Sequence, residues 1–295
     1  MQKKITFLIV NYKSAQLVTN LINNIQAFTK DISFCVVDNS NEAQFLTEGI
    51  ADLKEVVILE PKVNLGYARG NNLGLKYIER HHLSEFVCIC NPDIEIDNLN
   101  LLRLLEVVET PNAPSVFGIK VKDQNGSSLV NHWKQPTLIA DIAGDFSIIK
   151  HPWSVIKRFL FSPKITVSTQ EKQPVDIITG AFFVAKLTVI ADAGYFDDRT
   201  FLFCEERMLA KRLEEIGVKR YVLDTIHCKH SASTTIKKQY SSKFKRHLLL
   251  IDSRIKYYRY YSHPTKLAVY IATTPSSLLE KLIIDIILRF FKPYA

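Results

Sequence analysis

Apolar residues along this chain fall into short unbroken runs, separated by stretches whose apolar positions recur at helical spacing. Ile5 to Val10 is a β-branched run, and a periodic segment capped by Ser14 follows it to about Phe28. Ile32 to Val37 ends in Asp38-Asn39-Ser40, and Val56 to Leu59 leads to the glycine-containing stretch Asn64 to Asn72 and a helix closing near His82. Phe86 to Cys90 ends in Asn91-Pro92-Asp93. Continuous apolar strands alternating with helices predict a mostly parallel sheet, buried on both faces and joined by right-handed crossovers. Ligands of such sheets bind beyond the carboxyl ends of the strands, where each of these polar clusters stands.

The second half is less regular. Residues 137 to 174, with His151 and Trp153, read as a variable excursion and not as a separate domain. Strand character resumes at Val175 to Ile178, and the Gly180 to Lys186 segment follows. A helix is expected from near Cys204, and a short strand at Lys219 to Leu223 runs on toward His227 and His230. From Ile236 to Ser262 there are eight Lys or Arg against one Asp, interleaved with five tyrosines. Beyond Pro275, Leu278, Leu279, Leu282, Ile283, Ile286 and Ile287 keep helical spacing, interrupted by Glu280, Lys281, Asp285 and Arg289. No uncharged run reaches the ~18–20 residues that span a bilayer. A helix lying in a membrane surface and a helix packed on the catalytic core both satisfy this pattern. The expected division is 1–235 for a catalytic domain and 236–295 for a C-terminal helical extension.

Composition narrows the class. With 295 residues and 47% hydrophobic content the chain supports one large core or two modest ones. The net charge of +8 favours an anionic partner such as a phosphorylated small molecule, anionic lipid or nucleic acid. The five cysteines have no CxxC spacing, and Cys35, Cys88 and Cys90 lie within apolar runs, so buried reduced thiols are expected. Met1 to Lys4 runs straight into a strand without a signal-peptide apolar region. A cytoplasmic protein is the expectation, with the inner face of the cell membrane as the alternative place of work.

Each polar cluster has a structural and a chemical reading. Asp38 suits either an Asx turn or a nucleotide base or ribose. The Asn64–Asn72 stretch is neither GxGxxG nor GxxxxGK[ST], yet its glycines admit close backbone approach and Arg69 suits a diphosphate. Asp93 either caps the following helix or offers an oxygen to a hard divalent cation that shares its shell with phosphate and water. Glu205 and Glu206 either complement a helix dipole or supply a general base, and their side chains diverge by about 100°. His227 and His230, followed by Ser231, suit metal or phosphate.

In order and spacing these landmarks resemble the family 2 glycosyltransferases, particularly rhamnosyltransferase-like members of the GT-A fold. The resemblance runs over about residues 5 to 235. It rests on Ile9-Val10-Asn11-Tyr12, Val37-Asp38-Asn39-Ser40, Asn64 through Asn72, Asn91-Pro92-Asp93, Thr179-Gly180-Ala181, Phe196-Asp197 and Phe201 through Glu206. It implies donor contacts from Asn11, Tyr12, Asp38, Asn64, Gly66, Arg69, Asn72 and Asn91. It implies Mn2+ or Mg2+ at Asp93 and His227, with His230 and Ser231 near the diphosphate or acceptor. Glu206 falls where the family places its base, and because Glu stands there for the usual Asp, Glu205 is the alternative. The implied reaction is inverting transfer of rhamnose or hexose from a dTDP- or UDP-linked donor to a glycan or polyprenyl-linked acceptor. The basic, tyrosine-rich segment and amphipathic C-terminus suit peripheral membrane contact, and no nucleic acid partner is expected. A sugar nucleotidyltransferase would place a glycine- and arginine-rich loop after the first strand, where Asn11-Tyr12-Lys13-Ser14 stands instead. A non-catalytic basic binding or assembly protein would leave the ordered acidic and histidine positions unexplained.

Overall fold

The computed structural model describes residues 3–50, 55–146, 172–231 and 242–290. It forms two compact units. The first opens with β1 (Lys3–Asn11), α1 (Ala15–Phe28), β2 (Ile32–Asp38), α2 (Ala43–Gly49), β3 (Val56–Leu59), α3 (Gly66–Arg80) and β4 (Ser84–Cys90). There follow β5 (Ile94–Glu95), α4 (Asn98–Glu109), β6 (Val116–Lys122) and β7 (His132–Trp133). After α5 (Leu138–Asp145) come β8 (Lys172–Val175), β9 (Ile177–Ile178), β10 (Phe182–Lys186), α6 (Leu187–Asp192), α7 (Glu205–Glu215) and β11 (Arg220–His230). The chain ends with α8 (Lys243–Tyr261) and α9 (Pro264–Phe290).

A nine-stranded sheet in the order β3-β2-β1-β4-β10-β6-β11-β5, with β8 on β11, carries the first unit. The pairs β3–β2, β2–β1, β1–β4 and β6–β11 are parallel, while β10 runs antiparallel between β4 and β6. The expected mostly parallel sheet flanked by helices is therefore observed. Successive side chains on a strand face opposite ways. Ile5, Phe7 and Ile9 accordingly join the core beneath α1 and α4, while Leu8, Cys35 and Val37 join the core that α3, α6 and α7 cover. Burial on both faces fixes the register, since a one-residue slip would exchange the two cores. Because β10 is antiparallel, it begins at the rim where β1, β2, β4 and β11 end, with Phe182 paired to Cys90.

Two local expectations change. Ser14 makes no side-chain cap; its hydroxyl donates to the Tyr12 carbonyl at 3.2 Å. Helix α3 begins at Gly66, so Arg69 and Asn72 lie in its first two turns and not in a loop. The cause is tight packing of small residues, Ala68 and Gly70, against the sheet, which makes a helix of a glycine-rich stretch whose propensity argues for a turn.

The second unit gathers α5, residues 202–204, α8 and α9. The division expected at residue 235 is refined accordingly, because α5, from the excursion, belongs with the C-terminal helices. Its Asp141 and Asp145 receive the Arg254 guanidinium, Tyr258 Oη donates to Asp141 at 2.5 Å and Tyr270 Oη to Asp145 at 2.7 Å. These partners lie more than 100 positions apart in the chain, and periodicity carries no signal of such pairing. His151, Trp153 and the residues from 232 to 241 lie outside the described residues. Among the described residues no helix is long and apolar enough to cross a membrane.

Candidate active site

The loops at the carboxyl rim of the sheet are tied to one another in sequence. At the end of β1, buried Asn11 donates from Nδ2 to Asp38 Oδ1 at 3.0 Å and to Glu42 Oε2 at 3.0 Å. Asp38, at the end of β2 and equally buried, accepts from the Ser40 N–H at 3.0 Å and the Ser40 hydroxyl at 2.9 Å. Asp38 thus builds the Asx turn that shapes the loop, and both readings of this residue stay compatible with its place. Tyr12 lies beside it, partly buried, under the Lys13 ammonium.

Asn39 fastens this loop to the next one. Its Nδ2 donates to the Gly66 carbonyl at 3.1 Å and its Oδ1 accepts the Leu65 N–H at 3.2 Å. Asn64 in turn accepts the Gly66 N–H at 2.9 Å. Gly66 has φ +74°, and a Cβ there would stand 2.3 Å from the Phe201 carbonyl oxygen. The same carbonyl accepts the Tyr67 N–H at 3.1 Å. A residue with a side chain would lose both the conformation and the contact.

Tyr67 is the central residue that sequence reasoning assigned no role. Its hydroxyl donates to the Gly180 carbonyl at 2.6 Å, and the N–H of the same glycine donates to Glu206 Oε1 at 3.1 Å. Burial, reinforced by the charges of Glu206 and Glu205, holds the Tyr67 phenol well above its usual range, so it stays a proton donor. Glu206 lies in the first turn of α7, and burial raises its carboxyl above the ordinary glutamate value. Glu205 is 2% exposed, whereas Glu206 is only partly buried. The adjacent Asn91 N–H donates to the Ala181 carbonyl at 2.9 Å, which joins the end of β4 to the Gly180 turn.

Asp93, 7% exposed, does not cap α4; Asp97 does, accepting the Asn100 N–H at 2.9 Å. Asp93 Oδ1 stands 3.0 Å from His230 Nε2, and its carbonyl accepts the Ser231 N–H at 3.2 Å. The histidine beside Asp93 is therefore His230 and not His227. The His227 N–H donates to Asn100 Oδ1 at 2.8 Å, and its ring is depressed below the usual imidazole range by burial and then by Lys122, with Asp97 opposing. A register shift between Leu223 and His227 in the pairing of β11 with β6 precedes these positions, and no sequence signal reveals such an irregularity. A cavity of about 530 Å³ opens beside Asp93, lined also by Asn20, Asn24, Asp97, His227 and Ser231.

Two expected donor contacts are engaged elsewhere. Asn72 clamps the backbone of Phe196, donating to its carbonyl at 2.9 Å and accepting its N–H at 3.0 Å, so both polar atoms are occupied. Arg69 is exposed and donates from Nε to the Asp198 carbonyl at 2.8 Å, bracing the turn that Asp197 organises. Among the described residues no three His, Cys, Asp or Glu side chains form a metal cluster. What the rim offers a cation is the oxygen and nitrogen pair of Asp93 and His230.

No protein-family model matches the chain. It is 25% identical over 226 residues to the low-salt glycan biosynthesis hexosyltransferase Agl10 of Haloferax volcanii, covering 76% of this chain and 66% of that protein. It is 20% identical over 244 residues to the rhamnosyltransferase WbbL of Escherichia coli, covering 82% and 88%. It is 22% identical over 221 residues to the N-acetylglucosaminyl-diphospho-decaprenol L-rhamnosyltransferase of Mycobacterium tuberculosis, covering 71% and 70%. In structure it is similar to the mannosyltransferase PcManGT of Pyrobaculum calidifontis in complex with GDP-Man and Mn2+, with a TM-score of 0.55 at 13% identity over 100% of this chain and 77% of that one. Fold and relatives together make the chain a glycosyltransferase of GT-A architecture. Within that class, its curated relatives are hexosyl- and rhamnosyltransferases.

Proposed function

We propose that the chain transfers a hexose or rhamnose, with inversion, from a dTDP- or UDP-linked donor to a polyprenyl-linked glycan at a membrane surface. The observation that carries this reading is the hydrogen-bonded run of loops along one sheet rim: Asn11 to Asp38, Asn39 to Gly66, Tyr67 to Gly180, Gly180 to Glu206, Ala181 to Asn91, and Asp93 to His230. The lipid-linked acceptor is suggested by the name of the mycobacterial relative.

In this reading Asn11 and Asp38 shape the nucleoside pocket, and the Asn64–Gly66 backbone approaches the donor. Asp93 and His230 fit a hard divalent ion, since their oxygen and nitrogen leave the remaining positions to diphosphate and water. Such an ion, Mn2+ or Mg2+, would offset negative charge growing on the leaving diphosphate. Glu206 is the base. The Gly180 N–H orients its carboxylate, which takes the proton from the acceptor hydroxyl as that oxygen bonds to the anomeric carbon and the bond to the diphosphate oxygen breaks. The raised pKa of Glu206 strengthens it as a proton acceptor once ionised.

The test is a thermal-shift panel of nucleotide sugars with and without Mn2+. The expected result is a shift with dTDP- or UDP-sugars that grows with Mn2+, an increment lost in Asp93→Asn and His230→Ala but kept in His227→Ala. Absence of any nucleotide-sugar shift, or a metal increment that depends on His227 and not on His230, would overturn the assignment.

A further inference from the structure

Helix α9 wears its amphipathy inside out. Its inward side is fixed by polar groups: Tyr270, 0% exposed, donates to Asp145, and Ser277 is 1% exposed. Tyr258 of α8 packs on Tyr270 with ring centroids 5.0 Å apart, which sets the rotation of the helix. Nine described residues between Ala268 and Ile283 face outward, and none of them carries a charge. At 100° per residue they fall within one arc of about 160°. Val269, Ile271, Leu279, Leu282 and Ile283 are 40% to 59% exposed along it. An ordinary surface helix presents charge to water and apolar residues to the core. These side chains stay exposed among the described residues, and no described helix is able to span a bilayer.

We infer that the outward face of α9 lies in the headgroup boundary of an anionic lipid bilayer, with Leu279, Leu282 and Ile283 as its deepest residues. Charge complementarity selects this occupant over a second copy of the chain. The segment Ile236 to Ser262, which supplies α8, holds eight Lys or Arg against one Asp, and Lys245 and Arg259 of α8 are exposed. An isologous dimer through α9 would bring two such basic segments toward each other, whereas anionic headgroups attract both. The inference deepens the proposed function, on which it rests only for its purpose: a helix bedded in the leaflet holds the enzyme where a polyprenyl-linked acceptor is found. It also distinguishes two sources of binding. The basic segment acts through salt-screened attraction, and the apolar stripe acts through burial that salt does not screen.

The experiment is co-sedimentation of the full chain with vesicles of phosphatidylcholine and phosphatidylglycerol, at low and high salt, comparing wild type with Leu279→Glu/Ile283→Glu. Wild type should bind, keep part of its binding at high salt, and lose at least about tenfold in partition in the double variant. Both side chains are exposed, so the variant should keep its helical circular dichroism and its nucleotide-sugar thermal shift. Unchanged vesicle partition in the double variant overturns the inference. So does a wild type that ignores these vesicles, or one that sediments as a dimer which the double variant dissolves. A protein that binds vesicles through Leu279 and Ile283 yet shows no nucleotide-sugar shift would refute the transferase reading and leave this one standing.

Discussion

Carboxylates are buried both at the sheet rim and in the unit formed by α5, α8 and α9, but they are partnered in different ways. Asp141 and Asp145 share the Arg254 guanidinium and each accepts a tyrosine hydroxyl, so their negative charges meet a fixed cation and strong donors. Glu206 meets backbone N–H groups, its own and that of Gly180, and no cation pairs with it among the described residues. The first arrangement is an anchor, since breaking a buried pair strands a charge. The second leaves a carboxylate costly to ionise and ready to take a proton, which is a property of reactive groups.

Substitutions that exchange these properties sharpen the contrast. Glu206→Gln keeps the acceptor for the Gly180 N–H but removes the base, so kcat should fall ~10²–10⁴-fold while donor affinity stays. Steady-state kinetics returning a near wild-type kcat would remove Glu206 from the reaction. Arg254→Met should cost about 3–5 kcal/mol in denaturant unfolding by removing the guanidinium that Asp141 and Asp145 share; a loss under ~1 kcal/mol would show that the cluster is no anchor. Gly180→Ala places a Cβ 2.6 Å from Tyr67 Oη and 2.8 Å from Glu206 Oε1. Those side chains must shift, at a cost of about 1–3 kcal/mol and with a fall in kcat larger than any change in donor affinity. Equal effects on kcat and donor affinity would deny Gly180 its orienting role.

The smallest effect is one of pH. Because the folded-state pKa of Glu206 is raised, its contribution to stability is full below the unfolded value near ~4.3 and is lost as pH rises through the folded value. Glu206→Gln should therefore gain in Tm relative to wild type as pH rises to neutral, and the two should converge in acid. The acid limb of kcat/KM should likewise lie above the ordinary glutamate range. A Tm difference that does not vary with pH would show that Glu206 titrates alike in the folded and unfolded chain.

Much of the fold was legible because the signal is local. Unbroken apolar runs such as Ile5 to Val10 and Phe86 to Cys90 are strands buried on both faces, and the polar clusters closing them do mark one rim. Asp38, Asn91 and Asp93 are singled out by their place after such runs, and Glu206 by the family resemblance. What escaped depends on pairing across distance. Asn72 reads as a loop amide, yet it serves Phe196, 124 positions away. Which histidine meets Asp93 depends on the register shift in β11, and the partners of α5 on helices at the far end of the chain. Tyr67 was in view as one letter of a motif; only the Gly180 peptide between it and Glu206 gives it a task.

The junction of Gly66 with Phe201 has a consequence for how such an enzyme diversifies. The Tyr67 N–H holds the Phe201 carbonyl, and the joint closes because no side chain stands at 66, where a Cβ would also meet the Phe201 ring at 2.9 Å. Residues 202–204, immediately before Glu205 and Glu206, spring from ground that stays put, and Phe203 and Cys204 hold φ of +76° and +65°, which restricts what can replace them. Diversification is therefore more constrained at 66, 203 and 204 than their place at the rim suggests.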